Sequence, residues 1–246
     1  MTDVLIDASE VLQSVDVTTA KSVPSGATAV GYPVATKGAV PRQLGVNRSA
    51  MSDNGFDGKP GQTMKIPTSD GLLVAIGIGD ADEVDANALR RAGAAFARAA
   101  SKHAHLATTL ADVVAIDPDA AGRAVAEGVL LGSYRYVGLK TADDVGSKLE
   151  ALTVVSGGKR TTAVGRGVEA GRTIAIAAAF ARELANTPPT YLNAKDIAAK
   201  AVALGPDAGL EVAVFNKDDL MAMGCGGMIG VNRGSTEPPR MVKLSY

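Results

Sequence analysis

Leu72–Ala99 reads LLVAIGIGDADEVDANALRRAGAAFARA, and this stretch decides the fold class. Its first eight residues are continuously apolar, as expected of a strand buried on both faces. The period then changes. Ala88, Leu89, Ala92, Ala95, Phe96 and Ala99 recur at helical spacing, interrupted by Arg90, Arg91 and Arg98, so Asp85 to Lys102 reads as a helix. A doubly buried strand followed by an amphipathic helix implies helices layered on a sheet.

The same alternation extends outward. Ala27–Ala35 (ATAVGYPVA), Thr63–Pro67, Leu106–Leu110 and Leu152–Val155 read as strands, and Asp53–Gly61 (DNGFDGKPG) as a dense turn cluster. Pro118–Leu131 reads as a second helix, with Asp117 as N-cap and Pro118 at the first helical position. The expected architecture is an α/β layer domain with a largely parallel or mixed sheet. A long Ala-rich helix over Val164–Ala185 is stopped by Asn186-Thr187-Pro188-Pro189, because proline cannot continue a helix and pushes its predecessor toward extended backbone. This helix is the expected connector between domains. Beyond it, Asn193 caps a helix that has Asp196 at N3 and ends at Gly205-Pro206. Glu211–Phe215 is a strand, Asp218–Met223 a short helix and Arg240–Tyr246 a strand expected to be central. That last strand has no polar tail and no cap, so the chain reads as interrupted inside a domain.

Composition excludes several classes. Hydrophobic residues make up 46% of the 246 and charged residues 21%, which is a globular balance rather than a disordered one. The net charge of −1 gives no global basicity for nucleic acid. There is no Trp and aromatics are 4%, which argues against stacking platforms for single strands. One cysteine, Cys225, excludes an internal disulfide and fits a reducing compartment. The acidic start MTDVLIDASE does not read as a signal peptide, and the apolar run at Thr173–Phe180 is too short to span a bilayer. A cytoplasmic protein with no membrane partner is expected.

Few motifs carry chemistry. Gly77-Ile78-Gly79 lies between strand and helix, as a dinucleotide-binding turn would, but the third glycine is missing and Asp80, Asp82, Glu83 and Asp85 would repel a pyrophosphate. The expected reading is an ordinary turn whose acids serve the helix N-terminus. His103 and His105, the two histidines, would share a face in an extended segment, yet no third ligand is evident, so a helix-terminus role is expected. Cys225 in MGCGGMIG has no base nearby and reads as a small buried thiol in a tightly packed glycine loop. Asp143-Asp144 falls in a polar loop, and Asp218-Asp219 at a helix start. Arg90, Arg91, Arg98 and Lys102 make one modest basic stripe, or simply a solvated helix face.

Three ordered blocks carry a resemblance. ARELANTPPTYLNAKDIA, EVAVFNKDDLMAMGCGGMIGVNRGS and EPPRMVKLSY resemble, in order and spacing, the leucyl (cytosol) aminopeptidase family. GFDGKPGQ, LLVAIGIGDADEVDANALRRAGAAFARA and AVAEGVLLGSYRYVGLK resemble more variable parts of that family's amino-terminal domain. The resemblance implies an α/β protein of three parts: a macro-like amino-terminal α/β domain over residues 1–163, a connecting helix over 164–187, and the incomplete start of a two-metal catalytic domain over 188–246. It implies a parent enzyme that uses two divalent ions, manganese or zinc, to release amino-terminal residues from peptides, and that assembles as a homo-hexamer. Two ions would acidify a bridging nucleophile and polarise the carbonyl. The family's carboxylate and lysine ligands and its catalytic arginine belong to motifs that match no position here. No catalytic, cofactor-binding or metal residue is therefore assigned, and the chain alone is expected to bind no metal and to be inactive. Two alternatives stand beside this reading: a binding module for DNA or an ADP-ribose-like nucleotide, and a non-catalytic assembly subunit.

Overall fold

The computed structural model describes residues 8–138 and 147–246. The chain divides into two compact units, 1–183 and 184–246.

The first unit contains α1 (Ala8–Gln13), β1 (Asp16–Ala20), β2 (Ala29–Ala35), α2 (Arg48–Asp53), β3 (Thr63–Thr68), β4 (Gly71–Gly79), α3 (Ala86–Ala99), β5 (His105–Thr108), α4 (Pro118–Ser133), β6 (Ala151–Val155) and most of α5 (Thr161–Asn186). Its sheet runs β1-β6-β5-β2-β4-β3. Every pairing is parallel except β3 on β4, so the α/β class with a mixed sheet is the one the sequence implies. The antiparallel strand is an edge, where Pro67 costs no ladder hydrogen bond on its free side.

Two cores explain the unbroken apolarity of β4. Leu72, Val74, Ile76 and Ile78 face a large core with Leu89 and Phe96 of α3, Val125 and Val129 of α4, and Val164 and Val168 of α5. Ala75 faces a smaller core with Val30, Tyr32, Val34, Leu44, Met51 and Phe56. With both faces covered, alternate residues of the strand are both apolar. Gly31 of β2 is required by close approach: a Cβ there would lie 2.7 Å from Ile76 Cδ1 and 2.9 Å from the Phe96 ring.

The helix starts follow the sequence. Asp85 accepts from Ala88 N at 2.6 Å and opens α3. Asp117 accepts from Asp119 N and Ala120 N at 3.0 and 3.1 Å, with Pro118 in the first turn of α4. Asp117→Ala removes that cap and is expected to cost about 1 kcal/mol, read as a lower urea midpoint with an unchanged m-value. The sequence pattern does not announce α1, β1 or α2. β1 is a five-residue edge strand, DVTTA, with one buried side chain, Val17, so it lacks a strong apolar signal. α3 ends at Ala99, three residues short of the expected Lys102.

The second unit holds the end of α5, then α6 (Ala194–Leu204), β7 (Glu211–Phe215), α7 (Lys217–Ala222), α8 (Gly226–Asn232) and β8 (Met241–Ser245). α6 opens with a full capping box between Asn193 and Asp196, and α7 with another between Asn216 and Asp219. Gly205 follows α6 as expected, but in right-handed backbone. A 3-10 turn over Pro206–Ala208 comes next, and the left-handed stop is Gly209, at φ 70°. β8 pairs antiparallel with β7 alone among the described strands, not as a central strand. The glycines around Cys225 do not form a tightly packed loop. Gly226 begins α8, and Cβ positions built on Gly224, Gly226 and Gly227 meet nothing within 4 Å.

Candidate functional site

In an open α/β sheet, ligands favour the carboxyl ends of parallel strands where the strand order reverses. Here β2 leads outward to β4, and the chain then crosses back to β5, so the reversal lies between β2 and β5. That crevice is tied up by the protein itself. Thr108 Oγ1 donates to Gly31 O at 3.0 Å, and Thr109 N donates to the same carbonyl at 3.1 Å. A 3-10 turn, Leu110–Asp112, closes over the strand end with Leu110 and Ala111 buried. Asp112 accepts from Ser156 Oγ at 2.8 Å and Gly157 N at 3.2 Å. Arg160 Nη2 donates to the carbonyls of Ala111, Val113 and Ile116 at 3.1–3.4 Å. The donors that would cradle a phosphate already serve backbone carbonyls or the Asp112 carboxylate, which argues against a nucleotide cleft at this end.

An open groove beside the loop after β2 is lined by Val40, Arg42, Val46, Asn47 and Arg48. Arg48 holds the loop by donating to Thr36 O and Gly38 O at 3.1 and 3.0 Å. Asn47 caps α2 through Ala50 N at 2.9 Å. The groove thus offers Arg42 as its exposed cation and no set of converging polar groups.

Gly77 and Gly79 have a packing role. A Cβ on Gly77 would strike the main chain at Gly58 and Lys59, and Gly79 sits at φ 81° with its N–H donating to Gly58 O at 2.9 Å. The turn is ordinary, as expected, and Asp80 and Asp85 cap the helical turns that follow. The histidines are placed differently from the expected helix terminus. α3 ends before them, because Ala100 already closes it. His105 begins β5 with Nδ1 3.2 Å from Gly26 O and Nε2 3.4 Å from the Glu150 carboxylate. His103 lies in the preceding loop. Cys225 is half-buried, with its N–H donating to Leu220 O at 2.9 Å. Asp218 and Asp219 sit at the start of α7, as expected. Asp143 and Asp144 lie outside the described residues.

The basic stripe is broken at its first member. Arg90 Nη1 bonds Asn87, its Nε bonds Glu127 Oε2, and Arg123 Nε donates to Glu127 Oε1 at 2.9 Å. Arg91, Arg98 and Lys102 remain exposed. Glu127 is 4% exposed. Burial pushes its carboxyl up, but the hydrogen bonds and positive charges of Arg123 and Arg90 outweigh burial and hold it below its ordinary 4.5. Sequence reasoning missed this cluster, whose one signal is a lone carboxylate in the apolar run AVAEGVLL. The cluster joins α3 to α4 and its polar groups satisfy one another, so it is structural. Among the described residues, no group of three or more His, Cys, Asp or Glu side chains is placed to hold a metal ion, and no helix is long and apolar enough to cross a membrane.

What the geometry leaves unassigned, the comparisons define at the level of family. Residues 43–143 match the model of the cytosol aminopeptidase family, N-terminal domain, and residues 179–246 match that of the cytosol aminopeptidase family, catalytic domain. The chain belongs to the cytosol aminopeptidase family. A probable cytosol aminopeptidase of Rhodococcus jostii (strain RHA1) is 37% identical over 203 residues, covering 78% of this chain and 38% of the relative. One from Mycobacterium sp. (strain JLS) is 38% identical over 205 residues, covering 80% and 38%. The chain thus spans about 38% of the length of these relatives. Among solved structures, the bottromycin maturation enzyme BotP superposes with a TM-score of 0.76 at 32% identity, over 90% of this chain and 46% of BotP. A tomato leucine aminopeptidase mutant superposes with a TM-score of 0.79 over 94% of this chain and 50% of its own; at 18% identity this likeness concerns the fold.

Proposed function

We propose that this chain supplies the amino-terminal domain and the opening of the catalytic domain of a metal-dependent aminopeptidase that releases amino-terminal residues from peptides. The observation that carries this reading is the match of residues 179–246 to the family's catalytic-domain model. The proposed division is an amino-terminal domain over 1–163, a connecting helix over 164–187 and the catalytic opening over 188–246. A divalent cofactor, manganese or zinc, is supported by the solved complex of BotP with Mn. No set of the described residues fits a metal pair, so no step of hydrolysis is assigned to this chain's side chains. A homo-hexamer of the complete enzyme rests on the resemblance, and a cytosolic location on the names of the relatives. DNA or ADP-ribose binding is not favoured, because Arg90 is engaged and the crevice between β2 and β5 is filled.

The test is a continuous fusion of residues 1–246 to the part of the Rhodococcus jostii relative that follows its aligned region. The fusion is expected to release leucine from a leucyl amide with added Mn²⁺ and to stop when the ion is chelated. A folded fusion that never does so would overturn the proposal.

A further inference from the structure

A pocket opens at the amino ends of β5 and β6, away from the filled crevice at their carboxyl ends. Its floor is apolar: Ala97 and Ala100 at the end of α3, Leu106 of β5 and Leu149 ahead of β6, all buried. Its walls are polar. Ser101 and His103 come from the loop after α3, Ser133 from the last position of α4, Arg135 from just beyond it, and Ser147 from the approach to β6. No carboxylate lines it. About 20 Å³ of it admits a water-sized atom, which is room for one oxygen. Ser101 and Arg135 are exposed, so the rest of a ligand would stay in solvent.

The lining groups are mostly unspent donors. Arg135 Nη1 donates to Gly132 O and Tyr134 O at 3.3 and 2.9 Å, while its Nε and Nη2 have no partner among the described residues. Ser147 Oγ accepts from Leu149 N at 3.2 Å and keeps its own O–H. The Ser101 hydroxyl and the His103 ring have no partner among the described residues. Ser133 is the exception. Its Oγ donates to Val129 O at 2.9 Å, so toward a ligand it can only accept. The carboxyl ends of α3 and α4 each bring roughly half a unit of negative charge. Arg135 covers the end of α4, and the exposed Arg98 and Lys102 stand at the end of α3, so the balance stays positive.

We propose that this pocket binds a phosphate-class oxyanion. Arg135, Ser101, His103 and Ser147 would donate to its oxygens, and Ser133 would accept the O–H of the singly protonated form. That last contact decides between anions: at neutral pH a carboxylate or a sulfate has no proton to give to Ser133. The site lies in the first unit and does not depend on the functional reading above.

The experiment titrates inorganic phosphate into the 246-residue chain at constant ionic strength, balanced with chloride, and follows amide chemical shifts. The expected result is saturable shifts centred on Ser101, His103, Arg135 and Ser147. Arg135→Gln is expected to weaken binding by about tenfold or more, because it removes a charge-assisted hydrogen bond. Lys65→Gln, on the distant edge strand β3, is expected to leave binding unchanged. Acetate and sulfate are expected to bind more weakly than phosphate. Methyl phosphate separates the two sources of the group: saturable binding assigns a phosphomonoester, and its absence assigns free phosphate. Three results would overturn the proposal: no saturable response, a response that chloride or acetate reproduces in full, or binding indifferent to Arg135→Gln. If Arg135→Gln does not fold, the double variant S101A/H103A decides in its place, and unchanged phosphate binding by that variant refutes the site.

Discussion

Gly167→Ala is expected to lower the melting temperature of the first unit by roughly 6–12 °C, since overpacking of this kind costs about 3 kcal/mol and a unit of this size loses about 2–4 °C per kcal/mol. A Cβ on Gly167 would fall inside contact distance of the Asp119 carbonyl and lie 2.8 Å from Arg123 N. Both obstacles are main chain of α4 and cannot rotate aside. α4 and α5 must separate, and Val164, Val168, Ala121 and Val125 lose contact in the core that holds the sheet. Gly165 on the same helix is the control. A Cβ there meets Thr19 Oγ1 at 3.4 Å, an ordinary contact, so Gly165→Ala is expected to stabilise by about 0.5–1 kcal/mol through helix propensity. Calorimetry of the two variants should give shifts of opposite sign. Equal shifts would mean that the α4–α5 approach is not set by Gly167.

Glu127→Gln is expected to destabilise the protein at neutral pH by about 2 kcal/mol, part of the roughly 3–5 kcal/mol that removing one partner of a buried pair costs. The carboxylate is nearly inaccessible and bridges α3 and α4 through Arg90 and Arg123. Those two arginines are 34% and 51% exposed, so water recovers the rest of the loss. The pH dependence follows from the lowered pKa of Glu127. The folded carboxyl titrates below its ordinary 4.5, so its contribution is complete above that value and is lost as pH falls through the folded value. The gap between the parent and the Glu127→Gln variant should therefore be full at neutral pH and close in acid. Urea midpoints at about pH 7 and at a descending series of pH values below 4.5, followed until the gap closes, measure it. A gap of constant size would show that shape, and not charge, is what Glu127 contributes.

How far the sequence carries the fold depends on how local the cause is. β4 and α3 are legible because continuous apolarity and a 3.6 period are local properties. Asp85, Asp117 and Asn193 are legible because a cap is a matter of three or four residues. β1 is not, since its pairing with β6 joins residues far apart in the chain and its edge needs little apolar surface. The end of α3 is not legible either, because Ala100, Ser101 and Lys102 do not break a helix by type. Arg90 reads as part of a basic stripe until α4 brings Glu127 beside it, and the role of Gly77 depends on the distant loop that holds Gly58 and Lys59. The resemblance, in contrast, is carried by the last third of the chain, where the catalytic-domain model matches.

The most direct measurement concerns this chain alone. Homogeneous 246-residue protein is incubated with Mn²⁺ or Zn²⁺ and a leucyl amide, beside the continuous fusion to the carboxy-terminal part of the Rhodococcus jostii relative. The account predicts no turnover above the metal blank for the chain by itself, and chelator-sensitive release of leucine by the fusion. Turnover by the metal-loaded chain alone would contradict it, because the aminopeptidase chemistry would then reside within these 246 residues.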